Sequence, residues 1–218
     1  MKALEAGGIQ TAVVENMFDV PYAIVPDLET IIAKSYVLGY LKDKTNINLG
    51  VNVQATSGTE EMSTASICGV DFIRAETFVE MRMNSAGLMQ NMCAELTRKK
   101  HALHSSVRII ADINVKHSSP VIQQPIDSLN HEAIEAGADG IILTGLATGS
   151  APTVSDAEIY KKICGDTSLY IGGGVNTSNI RELMHYADGA IVGSSIKVDG
   201  KVENPVDIER VKDLIRRL

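Results

Sequence analysis

The chain has 218 residues, a net charge of −7, 44% apolar residues and 22% charged residues, which suits one globular domain spanning residues 1–218. The acidic balance argues against nucleic acid as a general partner, because phosphate-backbone contacts need clustered Lys and Arg. No apolar run approaches the roughly 20 residues that cross a bilayer, and the three cysteines are sparse and odd in number, so a cytoplasmic protein in a reducing compartment is expected.

A repeated unit organises the chain: a helix ends in Gly, a short acidic turn follows, and an apolar run begins. Gly137-Ala138-Asp139, for example, leads into Ile141-Ile142-Leu143. Continuous apolar runs of this kind are typical of strands that are buried on both faces of a parallel sheet. The pattern predicts seven strands, near residues 11–16, 47–53, 71–76, 107–113, 139–145, 168–173 and 188–194.

Helical patterns separate the predicted strands, at residues 28–41, 87–103, 126–136, 155–164, 178–186 and 205–218. This alternation predicts an α/β fold with a parallel sheet, and we interpret it as a (β/α)8 TIM barrel. The first eight residues read as the last turns of a helix that closes at Gly7-Gly8. We therefore expect the first strand and part of the first helix to be missing from this sequence. An open doubly wound sheet is the alternative, and the lack of an early Gly-x-Gly-x-x-Gly motif counts against it.

Two strand ends near the C-terminus are rich in glycine. Gly173 and Gly174 follow one apolar run, and Gly193 and Ser194 follow the next. Bare backbone N–H groups at such points attract anions, and the last two loops of a (β/α)8 barrel often form a phosphate site. The sequence therefore predicts that these four residues bind the phosphate of a phosphorylated small molecule. The alternative is that the glycines only let helices pack close to the strand ends.

Polar residues interrupt the apolar runs at the predicted C-terminal strand ends, where barrels carry their function. We predict Glu15, Asp112 and His117 as acid/base residues and Lys116 as the cation that neutralises a phosphate or an oxyanion. The ligand would also contact a set of amide and hydroxyl side chains, namely Asn16, Asn52, Asn114, Thr144 and Thr148. The alternative is a set of internal salt bridges that closes the barrel mouth, with Arg74 pinned between carboxylates.

No cofactor is evident from the sequence, and we assign no metal ligand. Glu15 and Glu76 lie on different predicted strands and could ligate Mg²⁺ through oxygen, but no strong metal-binding spacing is present. His101 and His104 lie in a Lys- and Arg-rich helical pattern, which indicates a solvated face.

Four segments resemble the BtpA/SgcQ family. Residues 14–21 are similar to the family's Val-Glu-Asn-x-x-Asp-x-Pro segment, and residues 112–117, 144–149 and 193–207 also match family motifs. The resemblance implies a ribulose-phosphate-binding-type barrel. Family members are described as nucleosidase- or phosphotransferase-like proteins of sugar operons, and a cyanobacterial member is linked to photosystem I accumulation. The resemblance supplies no established set of catalytic residues.

Two departures accompany the resemblance. Family members usually begin with a strand that carries a His-Leu-x-Pro-Leu-Pro-Gly type segment, which this sequence lacks. Many members also carry Asn-x-x-Arg-Asn-Asp after the third strand, whereas residues 52–57 of this chain read Asn-Val-Gln-Ala-Thr-Ser. These differences weaken a metal-dependent interpretation. Two classes of function stay open: an enzyme acting on a phosphorylated sugar or nucleotide-like ligand, or a non-catalytic assembly factor that uses the barrel as a scaffold. A barrel without its first strand exposes an apolar edge, so we expect self-association as a homo-oligomer.

Overall fold

The computed structural model describes residues 1–54, 58–145 and 151–218. Its main element is a curled parallel sheet of seven strands, in the order β1-β2-β3-β6-β8-β9-β10. All seven predicted strands are present. Their bounds are β1 Thr11–Glu15, β2 Asn48–Asn52, β3 Phe72–Ala75, β6 Arg108–Ile113, β8 Gly140–Thr144, β9 Ser168–Gly172 and β10 Gly189–Ile191.

Helices connect these strands along the chain. They are α1 Lys2–Ala6, α2 Leu28–Lys42, α3 Gly58–Cys68, α4 Cys93–Ala102, α5 Ile126–Glu135, α6 Val154–Cys164, α7 Ile180–Leu183 and α8 Ile208–Arg216, with 3-10 turns at Ser194–Ile196 and Val198–Gly200. The opening residues form the short helix α1, which ends next to Gly7, where the sequence predicts that a helix closes. Gly7 closes it against α8 so tightly that a Cβ there would lie 2.3 Å from Val211 Cγ1. No helix in the described part of the chain is long and apolar enough to cross a membrane.

A second, three-stranded sheet was not predicted. It has the order β5-β4-β7 and consists of β4 Arg82–Asn84, β5 Gly87–Met89 and β7 Ser119–Pro120. The helix predicted from Gly87 is wrong at its start, because residues 87–89 pair antiparallel with β4 and the helix begins only at Cys93. The small sheet joins the chain segments that follow β3 and β6.

Helix α3 was also missed by the sequence prediction. It buries Met62 and Ala65 against the core but is otherwise rich in small and polar residues. Its apolar side is too narrow to produce the spacing by which the other helices were recognised.

Alternate residues of each strand face the inside of the curled sheet, where glycine makes room for aromatic rings. A Cβ on Gly50 would lie 2.2 Å from the ring of Phe72, and one on Gly140 would lie 2.8 Å from the ring of Tyr170. The two rings therefore occupy interior space that side chains on β2 and β8 would otherwise fill. The same alternation brings the polar residues at the C-terminal strand ends onto this inner face.

Candidate functional site

A layer of polar side chains covers the C-terminal end of the sheet interior. We call it the polar layer, and its members are Glu15, Asn52, Arg74, Asp112 and Thr144. Each is the last or the last but one residue of its strand. The apolar residues before them form the strand, and the polar residue is tolerated at its end because it finds a partner there.

Arg74 joins the two carboxylates of the polar layer. Its Nε and Nη2 donate to Asp112 Oδ2 and Oδ1 at 2.8 and 3.1 Å, and its Nη1 donates to Glu15 Oε1 at 2.9 Å. Asp112 is fully buried and Arg74 is almost so. Burial raises the pKa of Asp112, and the Arg74 guanidinium acts in the opposite direction. The structure thus brings two of the predicted acid/base residues together on one guanidinium, in the ion-pair arrangement that the sequence left as an alternative.

Two asparagines secure the ends of β1 and β2. Asn52 is buried and donates from Nδ2 to the Arg74 carbonyl at 2.9 Å, while its Oδ1 has no partner among the described residues. Asn16 accepts from the Gln54 amide at 2.9 Å and donates to Asp19 at 3.3 Å. Asn52 therefore belongs to the polar layer, whereas Asn16 ties together the two loops beside it.

Lys116 lies against the glycine-rich end of β9. Its Nζ donates to the Gly172 carbonyl at 3.2 Å, and a Cβ on Gly173 would come within 2.6 Å of the same nitrogen. Gly173 and Gly174 have φ values of +102° and +73°, which favour glycine. Burial and then the Arg74 charge lower the pKa of Lys116. An ammonium group is therefore packed where the sequence predicts a phosphate.

The loops that follow β9 and β10 are joined to each other. Ser195 donates from Oγ to the Val175 carbonyl at 2.8 Å. This bond sets Gly193 and Ser194, both exposed, beside the loop that starts at Gly173. A Cβ on Gly193 would meet no atom within 4 Å. Gly193 therefore borders open space.

The loop that carries Lys116 is clamped by a buried arginine that the sequence did not single out. Arg82 is 2% exposed. Its Nε and Nη2 donate to Ser118 Oγ and O at 2.6 and 2.8 Å, and its Nη1 donates to Asn114 Oδ1 at 3.1 Å and to Glu80 at 2.5 Å. Both ends of the loop are thus held by one guanidinium. The alternation of Glu80 and Arg82 with apolar neighbours was the signal that could have identified this pair.

The other predicted residues of this loop have different surroundings. Asn114 and His117 have positive φ values of +57° and +64° and are exposed. Thr144 donates to the Asn114 carbonyl at 3.3 Å, which connects the polar layer to the loop. Burial and then the Lys116 charge lower the pKa of His117. Thr148 lies outside the described residues.

Two further buried ionisable residues, Lys34 and Glu61, support the polar layer from the helix side. Lys34 of α2 donates to the carbonyls of Val14 and Asn52, and Glu61 of α3 accepts from the Val53 amide at 3.2 Å. Burial lowers the pKa of Lys34 to about 8. Burial also raises the pKa of Glu61 well above its ordinary value, against the influence of Lys34. The pair was not predicted, although a lysine inside the apolar run of α2 is a visible signal.

Other features of the described residues do not coincide with this site. A cavity of about 410 Å³ lies at the opposite end of β3 and β6, beside Asp71 and Arg108. Within residues 1–54, 58–145 and 151–218, no group of three or more His, Cys, Asp or Glu side chains could hold a metal ion. The candidate site is therefore the polar layer together with Lys116 and the two glycine-rich loops.

The whole chain matches a known family. A family model described as "BtpA family" matches residues 1–218. The chain is 34% identical over 218 residues to "Photosystem I biogenesis protein BtpA" of Synechocystis sp., which covers 99% of this chain and 76% of that protein. It is 31% identical to an uncharacterised protein of Methanocaldococcus jannaschii, over 98% of this chain and 81% of that one.

Solved structures of low sequence identity share the fold. 3-Hexulose-6-phosphate synthase from Salmonella typhimurium matches with a TM-score of 0.64 at 12% identity, over 100% of this chain and 89% of that one. N-(5'-phosphoribosyl)anthranilate isomerase from Pyrococcus furiosus matches with a TM-score of 0.63 at 13% identity, over 100% and 92%. The chain therefore has the fold of the TIM-barrel proteins, with seven parallel strands in its described sheet.

Proposed function

Because this chain belongs to the BtpA family, we propose that it is an enzyme that acts on a phosphorylated sugar or nucleoside-like small molecule. One observation carries the proposal: the Lys116 ammonium is packed against Gly172 and Gly173, at the strand end where this fold commonly binds phosphate. The names of two structural neighbours, a hexulose-6-phosphate synthase and a phosphoribosylanthranilate isomerase, support the same class of ligand.

The phosphate group would be bound by charge and by backbone amides together. Lys116 would donate to one phosphate oxygen, and the amides of Gly173, Gly174, Gly193 and Ser194 would donate to the others. The bond from Ser195 to Val175 holds the two loops at a fixed spacing. These four amides, which we call the phosphate cradle, would therefore need little rearrangement when the ligand binds. The absence of side chains at three of these four positions leaves the amides accessible.

The remainder of the ligand would lie over the polar layer. Asn52, Asn114 and Thr144 would contact its hydroxyl groups. Of the two carboxylates on Arg74, the Glu15 side chain retains 17% exposure and that of Asp112 has none. We therefore assign proton transfer first to Glu15 and to the exposed His117, with Asp112 orienting the Arg74 guanidinium beneath the ligand.

A binding experiment tests the proposal. Thermal unfolding is followed with inorganic phosphate, ribose 5-phosphate, nucleoside monophosphates and unphosphorylated ribose. Phosphorylated compounds should raise the Tm, since a ligand at 100 times its Kd stabilises the folded state by about 2.7 kcal/mol, whereas ribose alone should not.

The variant pair Gly193→Asp and Gly193→Asn localises the binding. The two side chains have nearly the same size and enter open space, so they differ mainly in the charge placed at the cradle. Gly193→Asp should abolish the shift and Gly193→Asn should retain most of it. A wild-type protein that no phosphorylated compound stabilises would refute the enzyme proposal.

A second function is favoured by one specific observation, the 34% identity to a protein named for photosystem I biogenesis. The chain would then act as a non-catalytic assembly factor, with the Arg74 ion pairs serving only the stability of the scaffold. Affinity-tagged protein should retain a stable protein partner, and the Gly193→Asp variant should retain it equally well. Recovery of no partner would count against this function.

A further inference from the structure

Helix α2 is apolar on its solvent side as well as on its core side. Lys34 and Leu38 face the core and are buried. Four large side chains at a spacing of four residues are exposed on the other side: Leu28 at 69%, Ile32 at 59%, Tyr36 at 76% and Tyr40 at 57%. We call these four residues the α2 stripe.

The outer face of α2 carries almost no charge. Between Glu29 and Lys42 the only charged residue of the helix is Lys34, which is buried. A helix that is apolar on all sides is normally buried on all sides. Tyrosine is also enriched at protein interfaces. The composition of α2 thus indicates that another protein surface covers the stripe in the functional state of the protein.

The exposed area of the stripe approaches the area that a standard interface buries on each partner. Val25 and Val37 extend the stripe and are 71% and 41% exposed. The six side chains together expose on the order of 700 Å², which is most of the roughly 800 Å² that each partner buries in a standard interface. Monomeric proteins rarely expose contiguous apolar patches of more than a few hundred Å².

The direction of the stripe shows that a second molecule is needed to cover it. At 100° per residue, Tyr36 lies nearly opposite Lys34 and Leu38 on the helix, so the stripe points away from the sheet. The neighbouring helix α3 meets a different side of α2, where Cys68 Sγ contacts the Ser35 carbonyl at 3.5 Å. Helices that pack beside α2 on the outside of the sheet contact its flanks, so they would leave the outward-facing stripe exposed.

We propose that the α2 stripe is a twofold interface with a second copy of this chain. In an antiparallel pairing centred on Lys34, Leu28 would lie opposite Tyr40, and Ile32 opposite Tyr36, so that each large residue packs against another. The same pairing sets Glu29 opposite Gly39. No like charges meet across the twofold axis, because the Lys34 side chain of each copy is buried in its own core. Gly39, beside which a Cβ would find no atom within 4 Å, lets the helices approach closely.

The oligomeric state tests this proposal. Sedimentation equilibrium of the full chain, from low to high micromolar concentration, should show a dimer. Ile32→Glu should raise its dissociation constant by about 30-fold or more, as expected when one central interface residue per partner is lost. The double variant Ile32→Glu with Tyr36→Lys should restore dimerisation, because each new carboxylate then faces a new ammonium group across the axis.

Ile67→Glu is the matched control. Ile67 is 81% exposed on α3 and lies outside the stripe, so this variant should remain dimeric. Circular dichroism and the Tm should show that all variants are folded, since every changed residue is exposed. A wild-type chain that is monomeric throughout the concentration range, or a loss of dimerisation in Ile67→Glu equal to that in Ile32→Glu, would overturn the proposal.

Discussion

Arg74 holds Asp112 through two nitrogen–oxygen contacts of 2.8 and 3.1 Å, in a place where the carboxylate is closed off from solvent. The third nitrogen of the same guanidinium, Nη1, donates to Glu15 Oε1. The polar layer is therefore built around one cation and two anions before any ligand binds. Under the proposed function, a ligand that reaches Glu15 would meet a carboxylate whose position is already fixed, which is the condition for efficient proton transfer.

The Asp112 carboxylate should be essential for stability. Asp112→Ala leaves Arg74 buried with one carboxylate instead of two, so the free energy of unfolding should fall by about 3–5 kcal/mol. Urea denaturation measures the loss. The double variant Arg74→Met with Asp112→Leu removes both fully enclosed charges and leaves only the partly exposed Glu15 without its cation, so it should lose less. A fall of under about 1 kcal/mol in Asp112→Ala would show that the pair contributes little.

Lys116 should control phosphate affinity. Lys116→Met removes one charge-assisted hydrogen bond and should weaken binding of inorganic phosphate about 10- to 100-fold, the effect of a bond to a charged group. Isothermal titration calorimetry measures this change. Because burial and Arg74 lower the pKa of Lys116, affinity in the wild type should begin to fall at a lower pH than for an ordinary lysine. Lys100→Met, on the distant helix α4, is the control and should bind normally.

The Arg82 clamp should keep the Lys116 loop ordered. Arg82→Met removes four hydrogen bonds from the guanidinium and leaves Glu80 buried without its cation. Amide hydrogen exchange at residues 114–118 should become faster, and phosphate should bind more weakly although Lys116 is intact. The double variant Glu80→Leu with Arg82→Leu should be more stable than Arg82→Leu alone. Unchanged exchange in this loop would contradict the positioning role.

The strands were predictable from the sequence, whereas the small sheet was not. Ile141, Ile142 and Leu143 form an apolar run that has no stable place except a sheet covered on both faces. Gly87, Leu88 and Met89 carry no such signal. Their strand exists because β4 lies next to them, and β4 in turn pairs with β7, more than 30 residues away in sequence. Pairing over such distances cannot be read from local pattern.

The position of the polar layer was predictable from the sequence, but its contacts were not. Position at strand ends identified Glu15, Asn52 and Asp112, which the structure places in one layer. Nothing in the sequence decides whether a carboxylate at a strand end faces solvent or a buried guanidinium, because that depends on how far the sheet curls. The sequence therefore left two alternatives open for these carboxylates, namely acid/base residues or ion pairs with Arg74. Whether Glu15 and Asp112 transfer protons stays a prediction.

Lys34 should produce a measurable dependence of stability on pH. Burial lowers its pKa to about 8 from an ordinary value of 10.5. Between these values the unfolded chain binds a proton that the folded chain has released. The free energy of unfolding should therefore rise with pH over this interval, by up to about 3 kcal/mol from this group. In Lys34→Met the rise should be smaller, whereas Lys44→Met, which changes an exposed lysine, should follow the wild type. Parallel curves for Lys34→Met and the wild type would refute the assignment.

The contact between Gly50 and Phe72 should prevent β2 from accommodating a side chain at position 50. A Cβ at position 50 would lie 2.2 Å from the Phe72 ring, and the two residues are register partners on adjacent strands. Gly50→Ala should therefore lower the free energy of unfolding by about 1–3 kcal/mol, the range for an overpacked interior. Combining it with Phe72→Leu makes room for the new methyl group, so the double variant should be more stable than the sum of the single losses predicts. Additive losses would mean that the ring does not fill the space above Gly50, and the curled interior would then have to be packed in another way.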